Sequence, residues 1–237
     1  MLLRHIVTTS TLESFAMAGS MVYSNNSPFD ILASVYDAWF EEEGKLIFAI
    51  EVKAFQKVLA LLPKPWLEVG VGSGRFAQAL GIETGIDPSV KLLEMAKRRR
   101  ITGFLARGEE KFFDEKTFGT VFLIVTLCFV DSPLAVLREA HRILKTGGKI
   151  ALGLVLTESP WGQFYLVKKE QGHRFYKHAT LYSYQEVERL LTDSGFIIEK
   201  VVSTLFQKPS EVKEMENPRE GFSVDAGFTV VMAGKRV

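Results

Sequence analysis

Cysteine is almost absent from this sequence: Cys128 is the only cysteine among 237 residues. A single thiol forms neither an internal disulfide nor a cysteine-rich metal site, so neither feature is expected. Such sparse cysteine is typical of proteins from a reducing compartment, and we predict a cytoplasmic location.

The sequence also lacks an excess of charge and a long apolar run. Its 29 basic and 28 acidic residues give a net charge of +1, which provides no electrostatic attraction for nucleic acid or an anionic membrane. No apolar run approaches the roughly 18 residues that are needed to span a bilayer. We therefore expect neither nucleic acid nor membrane as a partner, and these patterns leave the oligomeric state open.

The N-terminal segment contains no continuous apolar stretch of the signal-peptide type. We interpret residues 1–28 as a poorly ordered leader, within which Met21 is an alternative start. Residues 29–237 are of ordinary size for one α/β domain, and the 47% of hydrophobic residues in the chain can form a sizeable core.

From residue 31 onward, short strand-like runs alternate with helix-like runs. Strands are predicted over residues 66–69, 82–86, 101–106, 120–127, 149–156, 197–206 and 228–234. The alternation predicts an α/β fold: a Rossmann-like three-layer sandwich with a seven-stranded, mostly parallel sheet. Because no apolar helix separates the last two strands, we expect them to form an antiparallel edge hairpin.

Helix boundaries are indicated by capping residues. Ser89 is predicted to cap the helix after the second strand, and Ser132 followed by Pro133 predicts another helix start. Ser183 and Glu186 have the spacing of a capping box. Short helices are expected over residues 31–40 and 75–80, and a longer one over 46–62.

Residues 157–180 interrupt the alternation of strands and helices. This segment is rich in aromatic residues, and we interpret it as an insert that closes over a substrate. His173 and His178 lie within it and are candidate catalytic bases, although a solvated or structural role is equally compatible with their positions. No catalytic residue is assigned from the sequence.

The most informative stretch is Leu67-Glu68-Val69-Gly70-Val71-Gly72-Ser73-Gly74, where a predicted strand runs into a glycine-rich turn. Glycine has no Cβ atom, so the backbone can adopt positive φ and approach a ligand closely. The helix that begins after the turn offers free N–H groups and the positive end of its dipole. These features favour a nucleotide-like ligand.

Two details of the turn bear on the identity of that ligand. Dinucleotide sites use G-x-G-x-x-G, whereas here Arg75 stands where the third glycine would be. Glu68 lies two residues before Gly70, where its carboxylate would repel a diphosphate and attract the ammonium group of a methionine moiety. The pattern therefore favours a ligand with a positively charged amino-acid end.

Asp87 ends the second predicted strand, 19 residues after Glu68. An acid at about this distance accepts hydrogen bonds from ribose hydroxyls in doubly wound sheets. Adenosine and a dinucleotide share that ribose, so Asp87 does not distinguish them. Pro88 follows directly and can pack against an adenine ring.

Together these residues resemble the class I S-adenosylmethionine (SAM)-dependent methyltransferase family, in its small-molecule branch, over most of residues 30–237. The resemblance implies that Gly108 and Glu109 hold the adenine edge and that Thr126 lies beside the sulfonium. It also implies that Tyr36 belongs to an N-terminal helix that covers the cofactor. The sequence departs from the family pattern at Arg107 and Gly119, where an acid is usual, and at Thr146, where proline is usual.

The function implied is transfer of a methyl group from SAM to a small-molecule acceptor by direct displacement, with S-adenosylhomocysteine (SAH) as product. The expected cofactor-binding residues are Glu68, Gly70, Gly72, Gly74, Asp87, Pro88, Gly108, Glu109, Thr126 and Tyr36. Two alternatives stay open at this stage. One is an NAD-type oxidoreductase on the same fold, and the other is a SAM-binding protein without catalytic activity.

Overall fold

The computed structural model describes residues 27–236, and the predicted leader, apart from its last two residues, lies outside the described residues. The first helix, α1, spans Pro28–Ile31 and is capped by Ser27, whose side chain accepts a hydrogen bond from the N–H of Phe29 at 3.2 Å. The described fold therefore begins just before residue 29.

The described elements alternate largely as predicted. The helices are α1, α2 (Ala33–Trp39), α3 (Lys45–Gln56), α4 (Arg75–Leu80), α5 (Val90–Arg98), α6 (Pro133–Ile143), α7 (Pro160–Glu170) and α8 (Tyr184–Asp193). The strands are β1 (Trp66–Val69), β2 (Thr84–Asp87), β3 (Thr102–Leu105), β4 (Phe118–Ile124), β5 (Leu144–Leu154), β6 (Phe196–Thr204), β7 (Arg219–Glu220) and β8 (Phe228–Lys235). Among residues 27–236, no helix is both long and apolar enough to cross a membrane.

The strands form one sheet in the order β3-β2-β1-β4-β5-β8-β6-β7. The first five are parallel, and β8 lies antiparallel between β5 and β6. The predicted mixed sheet with its antiparallel hairpin is therefore confirmed. In such a sheet the loops after the parallel strands gather at one edge, where ligands bind.

The predicted number of strands was wrong, because the described sheet contains eight strands rather than seven. The additional strand is β7, which pairs Glu220 with Val202 and Arg219 with Ser203 at the outer side of β6. It comes from the charged stretch that follows residue 207, which carries no apolar alternation. Main-chain hydrogen bonds to an edge strand do not require that alternation, so periodicity could not reveal a two-residue strand.

Two hydrophobic clusters lie on opposite faces of the sheet. One packs α3 and α4 against the sheet, with Phe55, Phe76 and Phe228 at its centre. The other packs α6 and α8 through residues such as Leu137 and Leu191. Because successive strand residues face opposite sides, Leu67 and Val69 enter the second cluster and Glu68 points toward the first.

The predicted helix caps are confirmed. The side chains of Ser89, Ser132 and Ser183 each accept a backbone N–H from the first turn of the helix that follows. The carboxylate of Glu186 accepts the backbone N–H of Ser183 at 2.7 Å, which completes the capping box. These caps end the loops at the ligand edge of the sheet and so limit their freedom.

Most boundaries differ from the prediction by three residues or fewer, and the helix predicted over residues 31–40 is divided into α1 and α2. Two boundaries differ by more. Helix α3 ends at Gln56 rather than at residue 62, and a 3₁₀ turn at Leu59–Leu61 follows it. Strand β5 begins directly after α6 at Leu144, although Gly147 and Gly148 were expected to separate the helix from the strand. Phe118 pairs with Leu144, and a bulge then shifts the register before Thr120 pairs with Lys149.

Replacing Ser183 with alanine should lower the free energy of unfolding by about 1 kcal/mol, because it removes one side of the capping box. Urea denaturation followed by circular dichroism measures this loss. Ser34→Ala, at an exposed position within α2, is the matched control and should change stability by less than about 0.5 kcal/mol. Equal stability of the two variants would contradict a structural role for the box.

Candidate functional site

The sequence-predicted residues come together at the carboxyl edge of the parallel strands. Gly70 follows β1, Pro88 follows β2, Gly108 follows β3 and Thr126 follows β4. Strand β1 lies between β2 and β4, so the chain order reverses there and leaves a crevice. Open α/β sheets bind ligands at this switch point.

The three glycines of the turn have different structural roles. All three have positive φ: +74° at Gly70, +53° at Gly72 and +80° at Gly74. A Cβ atom on Gly70 would lie 2.4 Å from the side chain of Thr126, and one on Gly74 would lie 3.1 Å from Ala96. A Cβ atom on Gly72 would lie 3.6 Å from the Tyr36 ring. Packing within the protein therefore restricts Gly70 and Gly74 to glycine, and Gly72 faces the helix that covers the turn.

Glu68 is buried beneath the turn, with only 2% of its surface exposed. The backbone N–H of Ala77 hydrogen bonds to its carboxyl group, whereas its Oε2 atom has no hydrogen-bond partner within residues 27–236. Burial, reinforced by the charge of Asp87, raises the pKa of Glu68 well above its ordinary range. A positively charged ligand above the turn would favour the ionised carboxylate.

Asp87 connects β2 to the glycine turn. Its Oδ2 accepts the N–H of Gly72 at 2.8 Å, and its Oδ1 accepts the N–H of Ser89 at 2.8 Å. Burial nevertheless raises the pKa of Asp87 to about 6, and the charge of Asp30 adds to this shift. Asp30 is itself buried and accepts a 2.6 Å hydrogen bond from the Ser89 hydroxyl, which joins α1 to the same network.

Arg75, the residue in the place of a third dinucleotide glycine, anchors α2 over the turn. Its guanidinium donates to both carboxylate oxygens of Asp37, at 2.8 and 2.7 Å. Arg99 donates to the same carboxylate at 2.8 Å and to the carbonyl of Ser73 at 2.9 Å. Burial alone would raise the pKa of Asp37, but the hydrogen bonds from the guanidinium groups of Arg75 and Arg99 lower it to about 2.

An aromatic cluster joins the covering helices, α1 and α2, to the insert at residues 157–180. The ring of Phe29 lies 5.6 Å from Tyr36, 5.1 Å from Phe129 and 5.3 Å from Phe175, measured between centroids. The backbone N–H of Thr180 donates to the carbonyl of Cys128, which ties the end of the insert to the segment after β4. These contacts close one side of the crevice with apolar rings.

The end of β4 is strained. Val125 has a φ of +52°, an unfavourable conformation for a β-branched residue, and its N–H donates to the carbonyl of Gly153 at 2.9 Å. The next residue, Thr126, turns its hydroxyl toward the carbonyl of Ile124 at 3.1 Å. This backbone conformation places the side chain of Thr126 against Gly70, beside the crevice.

The three residues expected at the adenine edge, Pro88, Gly108 and Glu109, have different surroundings. Pro88 is exposed beside the crevice, as a stacking surface requires. Gly108 is restricted by packing, since a Cβ atom there would lie 2.8 Å from Val69. Glu109 accepts the N–H groups of Asp131 and Ser132, at 3.1 and 3.3 Å, and so caps the N-terminus of α6.

The two candidate bases differ in their surroundings. The Nδ1 atom of His173 accepts long hydrogen bonds from the N–H groups of Phe175 and Tyr176, which indicates a structural role in the insert. His178 is exposed.

Sequence reasoning missed Asp30, Asp37 and Val125 as parts of the site. Asp30 directly precedes the helix predicted over residues 31–40 and Asp37 lies within it, and their partners lie 59 and 38 residues away along the chain. A positive φ at Val125 has no sequence signal, because valine normally avoids it. Only tertiary contacts reveal these three residues.

Comparison with known proteins identifies the family. Residues 67–152 match a family model described as a methyltransferase domain. An uncharacterized protein of Mycobacterium tuberculosis is 38% identical over 85% of this chain and 71% of its own length. An uncharacterized protein of Methanocaldococcus jannaschii is 35% identical over 87% of this chain and 98% of its own length.

Solved structures agree with this assignment. A SAM-dependent methyltransferase of Thermotoga maritima, described as a possible histamine N-methyltransferase, superimposes with a TM-score of 0.82. It is 36% identical, and the match covers 88% of this chain and 98% of that one. The CcbJ methyltransferase of Streptomyces caelestis shares the fold, with a TM-score of 0.64 at 17% identity over 91% of this chain and 100% of its own.

These similarities exclude the NAD-type oxidoreductase and the non-catalytic SAM-binding protein as interpretations. The chain belongs to the class I SAM-dependent methyltransferase family: it is an enzyme that takes its methyl group from SAM and leaves SAH as product.

Proposed function

We propose that this enzyme methylates a small-molecule acceptor held between the carboxyl edge of the sheet and the covering segments. The observation that carries the proposal is the aromatic cluster of Phe29, Tyr36, Phe129 and Phe175, which narrows the crevice with apolar rings. A site closed in this way suits a compact acceptor better than a polymer. The balanced net charge of the chain also gives no reason to expect nucleic acid.

In this proposal Glu68 and the turn at Gly70, Gly72 and Gly74 hold the methionine end of SAM. The buried, unpartnered Oε2 of Glu68 supports the assignment, because a positive charge above the turn would compensate it. Arg75 and Arg99 do not supply that charge, since both are bound to Asp37. The geometry therefore suits a cationic ligand and not a diphosphate.

The remaining assignments follow the order of the strands. Asp87 accepts the ribose hydroxyls, for which its carboxylate retains lone pairs beyond the two backbone hydrogen bonds. Pro88, with Gly108 and the segment at Glu109, borders the adenine. Because Glu109 already caps α6, we assign the adenine contact to the backbone of this segment and to Pro88. Thr126 and Tyr36 lie beside the sulfonium.

SAM supplies an already activated methyl group, so the enzyme mainly has to align donor and acceptor and exclude water. The covering helices contribute to the alignment of the donor, because the Asp37–Arg75 ion pair fixes α2, and with it Tyr36, over the glycine turn. The strained end of β4 positions Thr126 from the opposite side. Partly buried aromatic rings then replace water around the reacting atoms.

The Thermotoga maritima relative bears on the class of acceptor, since it is described as a possible histamine N-methyltransferase. A small amine therefore belongs among the acceptors to test first for this enzyme. Cytoplasmic action stays a prediction, which rests on the single cysteine.

Replacing Glu68 with glutamine should weaken SAH binding by about 1.5–3 kcal/mol, the contribution of a charged hydrogen bond. Isothermal titration calorimetry measures the change. The same variant should unfold at an equal or higher temperature without ligand, because it removes a buried carboxyl with an unpartnered oxygen. Glu83→Gln, an exposed neighbour, is the control. Unchanged SAH affinity in Glu68→Gln would refute the assignment of the methionine end.

The affinity for SAH should fall as the pH decreases from about 7.5 to about 5. Burial raises the pKa of Asp87 to about 6, and the carboxylate must be ionised to accept both ribose hydroxyls, so protonation competes with binding. Glu68 titrates in the same direction, because burial raises its pKa too. Calorimetric titrations across this range measure the slope, which Asp87→Asn should reduce. A wild-type affinity that is constant across the range contradicts the assignment.

The raised pKa of Asp87 has the opposite effect on the stability of the ligand-free protein. Protonated Asp87 is favoured in the folded state, so its stabilising contribution is complete below the ordinary value of 3.8 and is lost as the pH rises through about 6. Affinity and stability should therefore change in opposite directions as the pH falls, which separates ligand binding from a general loss of structure.

Asp37→Asn should speed the dissociation of SAH, because it weakens the contacts of α2 with both Arg75 and Arg99. Stopped-flow dissociation measured by tryptophan fluorescence tests this, with several-fold faster release expected. Glu41→Gln removes the exposed partner of the same arginine and should change the rate by less than about twofold. Equal rates in the two variants would show that α2 does not retain the ligand.

A further inference from the structure

A buried acid outside the proposed SAM contacts lies on the sheet-facing side of α3. Glu51 is four residues from both Ile47 and Phe55, so it belongs to the apolar stripe of the helix. Only 6% of its surface is exposed. Within residues 27–236 it has no hydrogen bond and no ion pair, and burial raises its pKa to about 8. A buried carboxyl group without a partner destabilises a fold.

Two tyrosines of the insert lie near this carboxyl. The rings of Tyr165, in α7, and Tyr176 are stacked with their centroids 4.2 Å apart. Tyr165 packs against the hydrophobic cluster that contains Ile50 and Phe55, which flank Glu51 on α3. Burial raises the pKa of both tyrosine hydroxyls, and the charge of Glu51 adds to the shift in each. The acid and the two rings therefore form one group, which we call the Glu51 cluster.

The Glu51 cluster adjoins the aromatic side of the crevice. Tyr176 interacts electrostatically with Tyr36, which lies over the glycine turn, and with Cys128 after β4. Phe175, next to Tyr176 in the chain, contacts Phe29 and Tyr36. The cluster thus lies on the insert side of the crevice, where an acceptor would be held.

We propose that Glu51, Tyr165 and Tyr176 form the acceptor subsite and that they bind a protonated amine of the methyl acceptor. This inference rests on the proposed function, since it places an acceptor in the same crevice. An ammonium group would pair with the buried carboxylate, and the tyrosine faces add a cation–π attraction that is strongest where water is excluded. A neutral acceptor would leave the carboxyl without compensation, and an anionic one would be repelled.

The test uses the full-length protein saturated with SAH. Histamine and phenethylamine are titrated as amine probes, and phenethyl alcohol serves as the neutral match for the second amine. The amines should bind and the alcohol should bind at least about tenfold more weakly, as expected for a charged hydrogen bond. Glu51→Gln should weaken amine binding by about tenfold or more and leave SAH affinity within about twofold.

Thermal unfolding of the ligand-free variants separates binding from a structural role. Glu51→Gln should unfold at a higher temperature than the wild type, because it removes a buried carboxyl that has no partner. Tyr176→Leu should weaken amine binding several-fold while SAH affinity is kept. Glu43→Gln makes the same change of charge at an exposed position and should alter neither measurement.

Three results would overturn the subsite: no preference for the amines over the alcohol, full amine affinity in Glu51→Gln, or a Glu51→Gln variant that is less stable or unfolded. The last result would assign Glu51 a structural role. Failure of the wild type to bind SAH would instead overturn the proposed cofactor contacts, so the two failures are distinguishable.

Discussion

Two buried carboxyl groups that no cation of residues 27–236 pairs with are the constraint on which the site depends. Glu68 and Asp87 lie below and beside the glycine turn, and burial disfavours their ionised forms. The two arginines close to the turn do not relieve this, because both are bound to Asp37. The site is therefore complementary to a ligand that carries positive charge, which is what distinguishes SAM from a dinucleotide on a similar fold.

The same two arginines connect the glycine turn, where the cofactor is proposed to bind, to the helix that covers the crevice. Arg75 begins α4 directly after the glycines and ties α2 to the turn through Asp37. The aromatic rings of α1, α2 and the insert then pack against each other across the crevice. In the proposed site, binding of the methyl donor and exclusion of water are linked through contacts a few residues apart, as methyl transfer from an activated donor requires.

Local patterns predicted the fold well wherever periodicity and capping act over a few residues. The strand at Trp66–Val69 and the helix at Arg75–Leu80 have the predicted bounds, and the three predicted serine caps are present. The prediction failed at β7, because two residues at a sheet edge pair through their main chain alone. Nor did position reveal that the carboxylate of Glu109 accepts N–H groups at the start of a helix that begins 24 residues later; its contact with adenine stays a prediction.

The sequence by itself determined the class of fold, the family and the place of the glycine turn, because these depend on short-range order: strand, glycines, helix and an acid at a set distance. The tertiary structure alone decided which glycines are required by packing, how Asp37 joins Arg75 and Arg99, and that Glu51 is buried without a partner in the described part of the chain. Whether a side chain is buried or paired depends on neighbours that come from distant segments of the chain. A charge on a helix therefore has the same local signature whether it faces water or a closed crevice.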